Sequence, residues 1–313
     1  MKNTYTTPAD FWQERDFGAK ISATFEFIGA HWRGLGRVLL YLVVPLALVQ
    51  GIVAGALQLR VAEVMRQHTS SGSSFSFRYA NYLSAFQSPW YFLNSLLGIV
   101  FQAVLILSVY GYLMRCVYAE QPGAPVTVPQ VWAVVKNRLV GTSFSLLGIW
   151  VLIAFGFVCL FIPGVYLLVA LSLFFVVSVL EDSSFVATIS RCIDLVKGKW
   201  WSTFGLLFIM LLLIYLAFIS FGVVAALAGG AKTLLISTST LPMPLAVVIS
   251  SLAGLLSVLF YVPLMLVLAF QYFNLIERRE GLGMRLLLDK LGNDQAVATA
   301  QSSHYQPDEE GEY

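Results

Sequence analysis

The side chains able to do chemistry in this chain are few and scattered. Its histidines are His31, His68 and His304, which fall on a stretch near the N-terminus, on a polar loop and in the C-terminal tail. A zinc or non-haem iron site needs several such ligands at one depth, so this spacing predicts no metal centre and no cofactor. A Ser-His-Asp arrangement fails for the same reason, and the chain has no GxSxG, Walker loop or dinucleotide fingerprint. Cys116, Cys159 and Cys192 are odd in number and lack CxxC spacing, which reads as free thiols. No catalytic residue is assigned.

The informative polar residues are of two other kinds. Gln50, Asn94 and Gln102 lie inside long apolar runs, where an amide either hydrogen-bonds between helices or lines a polar path. Lys197 and Lys199 stand beside Trp200 and Trp201, and Trp32 ends a similar stretch earlier on. Cations next to indole rings suit a membrane interface with anionic headgroups, and membrane lipids are the expected partner.

These residues must be positioned by a membrane protein. Hydrophobic residues make up 58% of the chain and charged ones only 12%, against about 25% in an ordinary soluble domain. The net charge of +2, with no basic run interleaved with base-stacking aromatics, argues against nucleic acid. The expected fold is all-α and polytopic. Six apolar stretches, at about 38–59, 91–114, 140–162, 164–180, 203–228 and 244–275, each approach the roughly 20 residues that cross a bilayer. Pro163-Gly164 is expected to turn the chain between the third and fourth. Gly51 and Gly55, at GxxxG spacing, read as a packing face, and Pro45 and Pro263 as kink positions. No cleavable signal sequence is visible before Val38, so the first apolar run is expected to stay as a span.

Cation counts set the topology. Lys2, Arg15, Lys20, Arg33, Arg37, Arg115, Lys136, Arg138, Arg191, Lys197, Lys199, Arg278, Arg279, Arg285 and Lys290 fall on one side; Arg60, Arg66, Arg78 and Lys232 fall on the other. By the positive-inside rule both termini are cytoplasmic.

Three cytoplasmic amphipathic helices are expected as well. Phe17, Ile21, Phe25, Ile28 and Trp32 follow helical spacing, and so do Phe185, Ile189, Ile193, Val196 and Trp200, at an offset of 168 without a gap. Val128 to Lys136 is a weaker version, with Pro129 suited to a first turn. Each precedes a pair of spans, which divides a single membrane domain, 11–291, into three parallel units at about 11–114, 127–180 and 183–275. Residues 1–10 read as a tail. Residues 292–313, acidic and without periodicity, read as disordered.

One stretch has a family likeness. Phe161-Ile162-Pro163-Gly164-Val165-Tyr166, then Val179-Leu180-Glu181-Asp182, then Ile189 through Trp201 resembles the membrane domain associated with glycerophosphoryl diester phosphodiesterases. Arg15-Asp16-Phe17-Gly18 with Thr24 to Ile28 is similar to the form found in stand-alone membrane proteins of Bacteroidetes-type bacteria. The likeness spans roughly 12 to 285. In those phosphodiesterases catalysis belongs to a separate TIM-barrel domain, for which this chain has neither room nor motif, so no catalytic residue carries over.

The expectation is a non-enzymatic bacterial inner-membrane protein that organises membrane or scaffolds partners. The alternative is a transporter or channel for a neutral or amphipathic, lipid-like solute passing Gln50, Asn94 and Gln102. A protein partner or a homo-oligomer is left open.

Overall fold

The computed structural model describes Tyr5, residues 7–69, 89–119, 123–229, 243–286 and 288. The serine-rich stretch of the 60–90 loop, Lys232 and the 292–313 tail lie outside them. Among the described residues the protein is helical, without strands. Five helices are long and apolar enough to cross a membrane: Phe17–Leu57, Pro89–Val117, Val128–Cys159, Phe161–Glu181 and Val258–Glu280. A sixth crossing arises if Phe185–Val196 and Trp200–Leu216, bent by 98° at their junction, count as one. The chain spans a membrane with a helical bundle.

The elements are α1 (Pro8–Phe11), α2 (Phe17–Val38), a π-helical segment (Leu39–Val43), α3 (Val44–Thr69), α4 (Pro89–Val117), α5 (Val128–Cys159), α6 (Phe161–Leu171), α7 (Phe174–Glu181), α8 (Phe185–Val196), α9 (Trp200–Gly229) and α10 (Met243–Glu280). Of the three separate amphipathic helices expected, only α8 has that form. α2 runs through the π segment into α3, and residues 128–136 run directly into the rest of α5. The offset of 168 explains why. It holds at the helix starts, where Asp16 and Ser184 are both extended N-caps. It fails fourteen residues further on. Gly198 adopts φ +81 and ends α8, whereas its counterpart Ala30 has a Cβ that disfavours that conformation and lets the cheaper helical propagation continue.

The proline positions resolve in different ways. Proline in a helix clashes with the carbonyl four residues before it; here the wide π turn stands immediately ahead of Pro45 and opens that ladder. Pro263 lies within the unbroken α10. The turn between α5 and α6 comes three residues earlier than Pro163-Gly164, at Leu160, which is extended at φ −163 and ψ 150. Pro163 then occupies the first turn of α6, where its missing N–H has no partner to lose. Gly164 lets that helix close on α5, since a Cβ there would sit 2.9 Å from Phe157 Cα.

The span within α10 is 72% buried and that of α5 only 17%, so α10 is central and the α5–α6 hairpin peripheral. α3 packs along α10, and α4 is buried almost continuously from Phe101 to Leu113. Both ends of the described chain meet at one end of the bundle. Phe11 is fully buried and Tyr5 is 8% exposed, against Phe27, Phe270 and Phe273. Residues 1–10, read from sequence as a tail, are thus anchored at Tyr5 and over 7–10.

Candidate functional site

Two polar constellations stand out. The first is the pair Gln50 and Asn94, two of the three amides read as interhelical partners or lining of a polar path. Gln50 Nε2 donates to Asn94 Oδ1 at 3.1 Å and to the Asn94 carbonyl at 3.3 Å, joining α3 to α4. Gln102 lies two turns further along α4 on the same helical face, half-buried, and is not part of the pair. Gln50 Oε1 is buried and receives no donor. The cavities bordered by Arg138, by Trp12 and by Trp32 are lined by other residues.

The second is an ionic hub at the end of the bundle where the chain ends meet. Arg191 of α8 donates Nε to both Glu181 oxygens at 3.2 Å, and its Nη2 pairs with Glu280 at the end of α10. Tyr272 gives its hydroxyl hydrogen to Glu181 Oε1 at 2.9 Å. One guanidinium therefore ties α7, α8 and α10 together. Arg138 of α5 does similar work alongside. Its Nη1 donates to the terminal carbonyls Ser178 O and Val179 O of α7, and its Nη2 pairs with Asp182 at 2.9 Å. That leaves Asp182, left-handed at φ 50, as the C-terminal cap of α7. Arg138 and Asp182 border a polar groove of about 610 Å³ with Thr142 and Ser145. Neither the hub nor this cap was readable as a cluster, because their members are scattered from 138 to 280 in sequence.

A third assembly holds the N-terminal segment. The Arg15 amide donates to Asn274 Oδ1 at 2.8 Å, and its side chain reaches the carbonyls of Phe11 and Asp10. The guanidinium lies 5.2 Å from the Phe270 ring centroid. Burial raises the Tyr5 phenol to about 12 despite the opposing field of Arg15, and burial also lowers Arg15. Trp12, Asp10 and Glu277 border a cleft of about 860 Å³ beside this segment.

The expected lipid-interface residues divide. Lys197 and Lys199 are exposed. Trp201 is 77% exposed and Trp32 61%, whereas Trp200 stacks between Tyr166 at 6.2 Å and Phe204 at 5.1 Å. Trp200 thus packs α9 onto α6, and its neighbour faces outward. The apolar faces are rotated from the expected ones in both aligned helices. α2 buries Lys20, Ala23, Thr24 and Phe27, and α8 buries Thr188, Cys192, Leu195 and Val196. Each buried threonine satisfies its own hydroxyl by bonding the carbonyl four residues back, at 2.9 Å. Of the residues at the expected spacing, Val196 is fully buried and Ile28, Ile189 and Trp200 pack partly buried against the core, whereas Phe25 is 53% exposed and Phe185 37%. Among the described residues no group of three or more His, Cys, Asp or Glu is placed to hold a metal.

Replacing Arg191 with methionine is expected to lower stability by about 1–3 kcal/mol, the scale of lost charge-assisted hydrogen bonds, discounted here for partial exposure. Thermal unfolding in detergent measures it. Adding Glu280→Gln should recover part of the loss by removing one of the two facing carboxylates; no recovery would mean that the pair does not feel Arg191.

No family model, curated protein or solved structure matches the chain.

Proposed function

We propose that this is a non-enzymatic component of the bacterial inner membrane that organises the lipid around it. The observation that carries the reading is the peripheral hairpin. Along α5 and the start of α6, Phe144, Trp150, Val151, Phe155, Val158, Phe161 and Ile162 are each at least 65% exposed, a continuous aromatic and aliphatic wall. A wall of this size marks contact with lipid or with a partner surface. The rotated apolar faces of α2 and α8 add to it. Both termini are placed in the cytoplasm by the positive-inside rule, and the gathering of Arg15, Lys20, Arg278 and Arg279 at one end of the bundle supports that orientation. We further read α2–α4 and α8–α10 as related parallel units, on the matched N-caps.

In liposomes containing the purified chain, the acyl-chain order of spin-labelled lipid is expected to rise with protein content. Trp150→Ser with Phe155→Ser should weaken that rise while leaving far-UV dichroism intact. A substrate consumed by the wild-type protein, with or without divalent metal, would overturn the non-enzymatic reading. The buried, donor-less Gln50 Oε1 favours a second reading, a path for a neutral or amphipathic solute between α3 and α4. Solute flux abolished by Gln50→Leu would replace the organiser role with that one.

A further inference from the structure

An apolar groove of about 630 Å³ runs between α2–α3, α9 and α10. Its volume is that of an ordinary small-molecule site, which spans about 300–1,000 Å³. The groove exists because two helices are irregular where they face each other. Leu39 opens the π segment and Val44 follows it on one wall, and Pro263, which has no N–H to donate, stands within the continuous α10 on the other. A π turn and a proline each bend a helix away from straight packing, so the walls cannot close by side-chain adjustment alone. Both walls belong to helices apolar enough to lie in a membrane, so hydrocarbon is the filling at hand.

The rim supplies the rest of the recognition. Trp32 lines the groove, and the Arg33 guanidinium lies 5.6 Å from its ring centroid. Arg37 follows one turn later. Both arginines are exposed, and neither is paired with a carboxylate among the described residues. An apolar slot with unpaired guanidinium charge beside an indole matches an amphiphile with a long chain and an anionic head.

We propose that the groove holds one acyl chain of an anionic phospholipid whose phosphate sits at Arg33. The inference rests on the lipid-organising reading above and names the lipid class involved. Gly36 lines the same groove, and a Cβ added there meets nothing within 4 Å. A phenylalanine at this position can therefore enter the slot without displacing backbone.

The test is native mass spectrometry of the detergent-solubilised full chain with dioleoyl phosphatidylglycerol or dioleoyl phosphatidylcholine. Wild type is expected to retain the anionic lipid about fivefold better, the effect of one basic side chain at an anionic surface. Arg33→Gln should erase that preference and leave phosphatidylcholine retention unchanged. Gly36→Phe should lower retention of both lipids severalfold. Equal retention of the two lipids by wild type, or full retention by Gly36→Phe, overturns the proposal. A second measurement does not depend on how Gly36→Phe folds. Phosphatidylglycerol brominated along its acyl chain should quench tryptophan emission by a component that Trp32→Phe removes; quenching unchanged in that variant overturns the site as well. Loss of this site with the liposome order effect intact sinks this inference alone. Specific retention without any order effect sinks the organiser role alone.

Discussion

Gly51→Leu is expected to destabilise the bundle by about 3 kcal/mol or more, the upper end of what overpacking a tight contact costs. A Cβ at this position would meet the Ser251 Cα first of all, with Ser251 Oγ at 2.6 Å and Ser251 Cβ at 2.9 Å. Backbone cannot rotate aside as a side chain can, so α3 and α10 would have to separate. That interface is the most extensive in the molecule. Between lipid-embedded helices, association depends on close van der Waals approach, because lipid tails are as apolar as the side chains. The measurement is the midpoint of unfolding in detergent titrated with sodium dodecyl sulfate. Gly36→Ala is the control. It sits in open space on α2 and should be neutral or gain about 0.5–1 kcal/mol from reduced chain entropy. A Gly51→Leu protein as stable as wild type would mean that the two helices do not meet at Ser251.

Phe11→Ala should release the N-terminal segment from the bundle. Phe11 is fully buried, and phenylalanine-to-alanine changes in such places cost about 3–5 kcal/mol. The segment's other contacts all lie at one end of the bundle: the Arg15 amide to Asn274, Trp12 on Tyr272 and Phe273, Glu14 with Arg278, and the ring of Tyr5 on Phe27 and Phe270. Undocking is therefore easier than global unfolding. Hydrogen exchange over residues 5–15 is expected to rise by two orders of magnitude or more, with α4 and α10 still protected. The same segment should respond to alkali. The Tyr5 phenol titrates near 10.0 when free and at about 12 when docked. Its neutral form is favoured in the docked state, so this contribution is complete below pH 10 and is lost as pH rises toward 12. Tyr5→Phe removes the alkaline step. If exchange in the Phe11→Ala protein matched wild type, the packing around Phe11 would not be what holds the N-terminus.

The bundle's class was legible in the sequence because hydropathy reports the solvent a helix can tolerate, whatever it packs against. The limits of helices were less so. Nothing between Trp32 and Val38 distinguishes a helix that ends from one that continues; the difference from α8 rests on one residue, Ala30 where the other helix has Gly198. Which face of α2 and α8 meets the bundle was open in the sequence for a related reason. In a soluble protein the most apolar face turns inward. Here the surroundings of α2 and α8 are themselves apolar, so Phe25 and Trp32 face outward, while Ala23, Thr24 and Phe27 of α2 and Thr188, Leu195 and Val196 of α8 face inward. Of the candidate site residues, Gln50 and Asn94 were found together because a buried amide seeks a partner on the next helix. Gln102 has the same composition signal and lies away from the pair. The ionic hub around Arg191 was out of reach, since its three charges come from three separate helices and only their folding makes them a set.

The docking of the N-terminus also has a temporal side. Tyr5 and Phe11 are synthesised well before two of the residues that seat them, Phe270 and Phe273 of α10. At about 5–20 residues per second the interval is tens of seconds. During it the segment has only Phe27 of its seats, and the earlier helices must hold their positions in the bilayer without the completed contact. Its full docking is a late step that follows synthesis of α10. A bulky fusion joined near Tyr5 would hinder that step far more than it would hinder insertion.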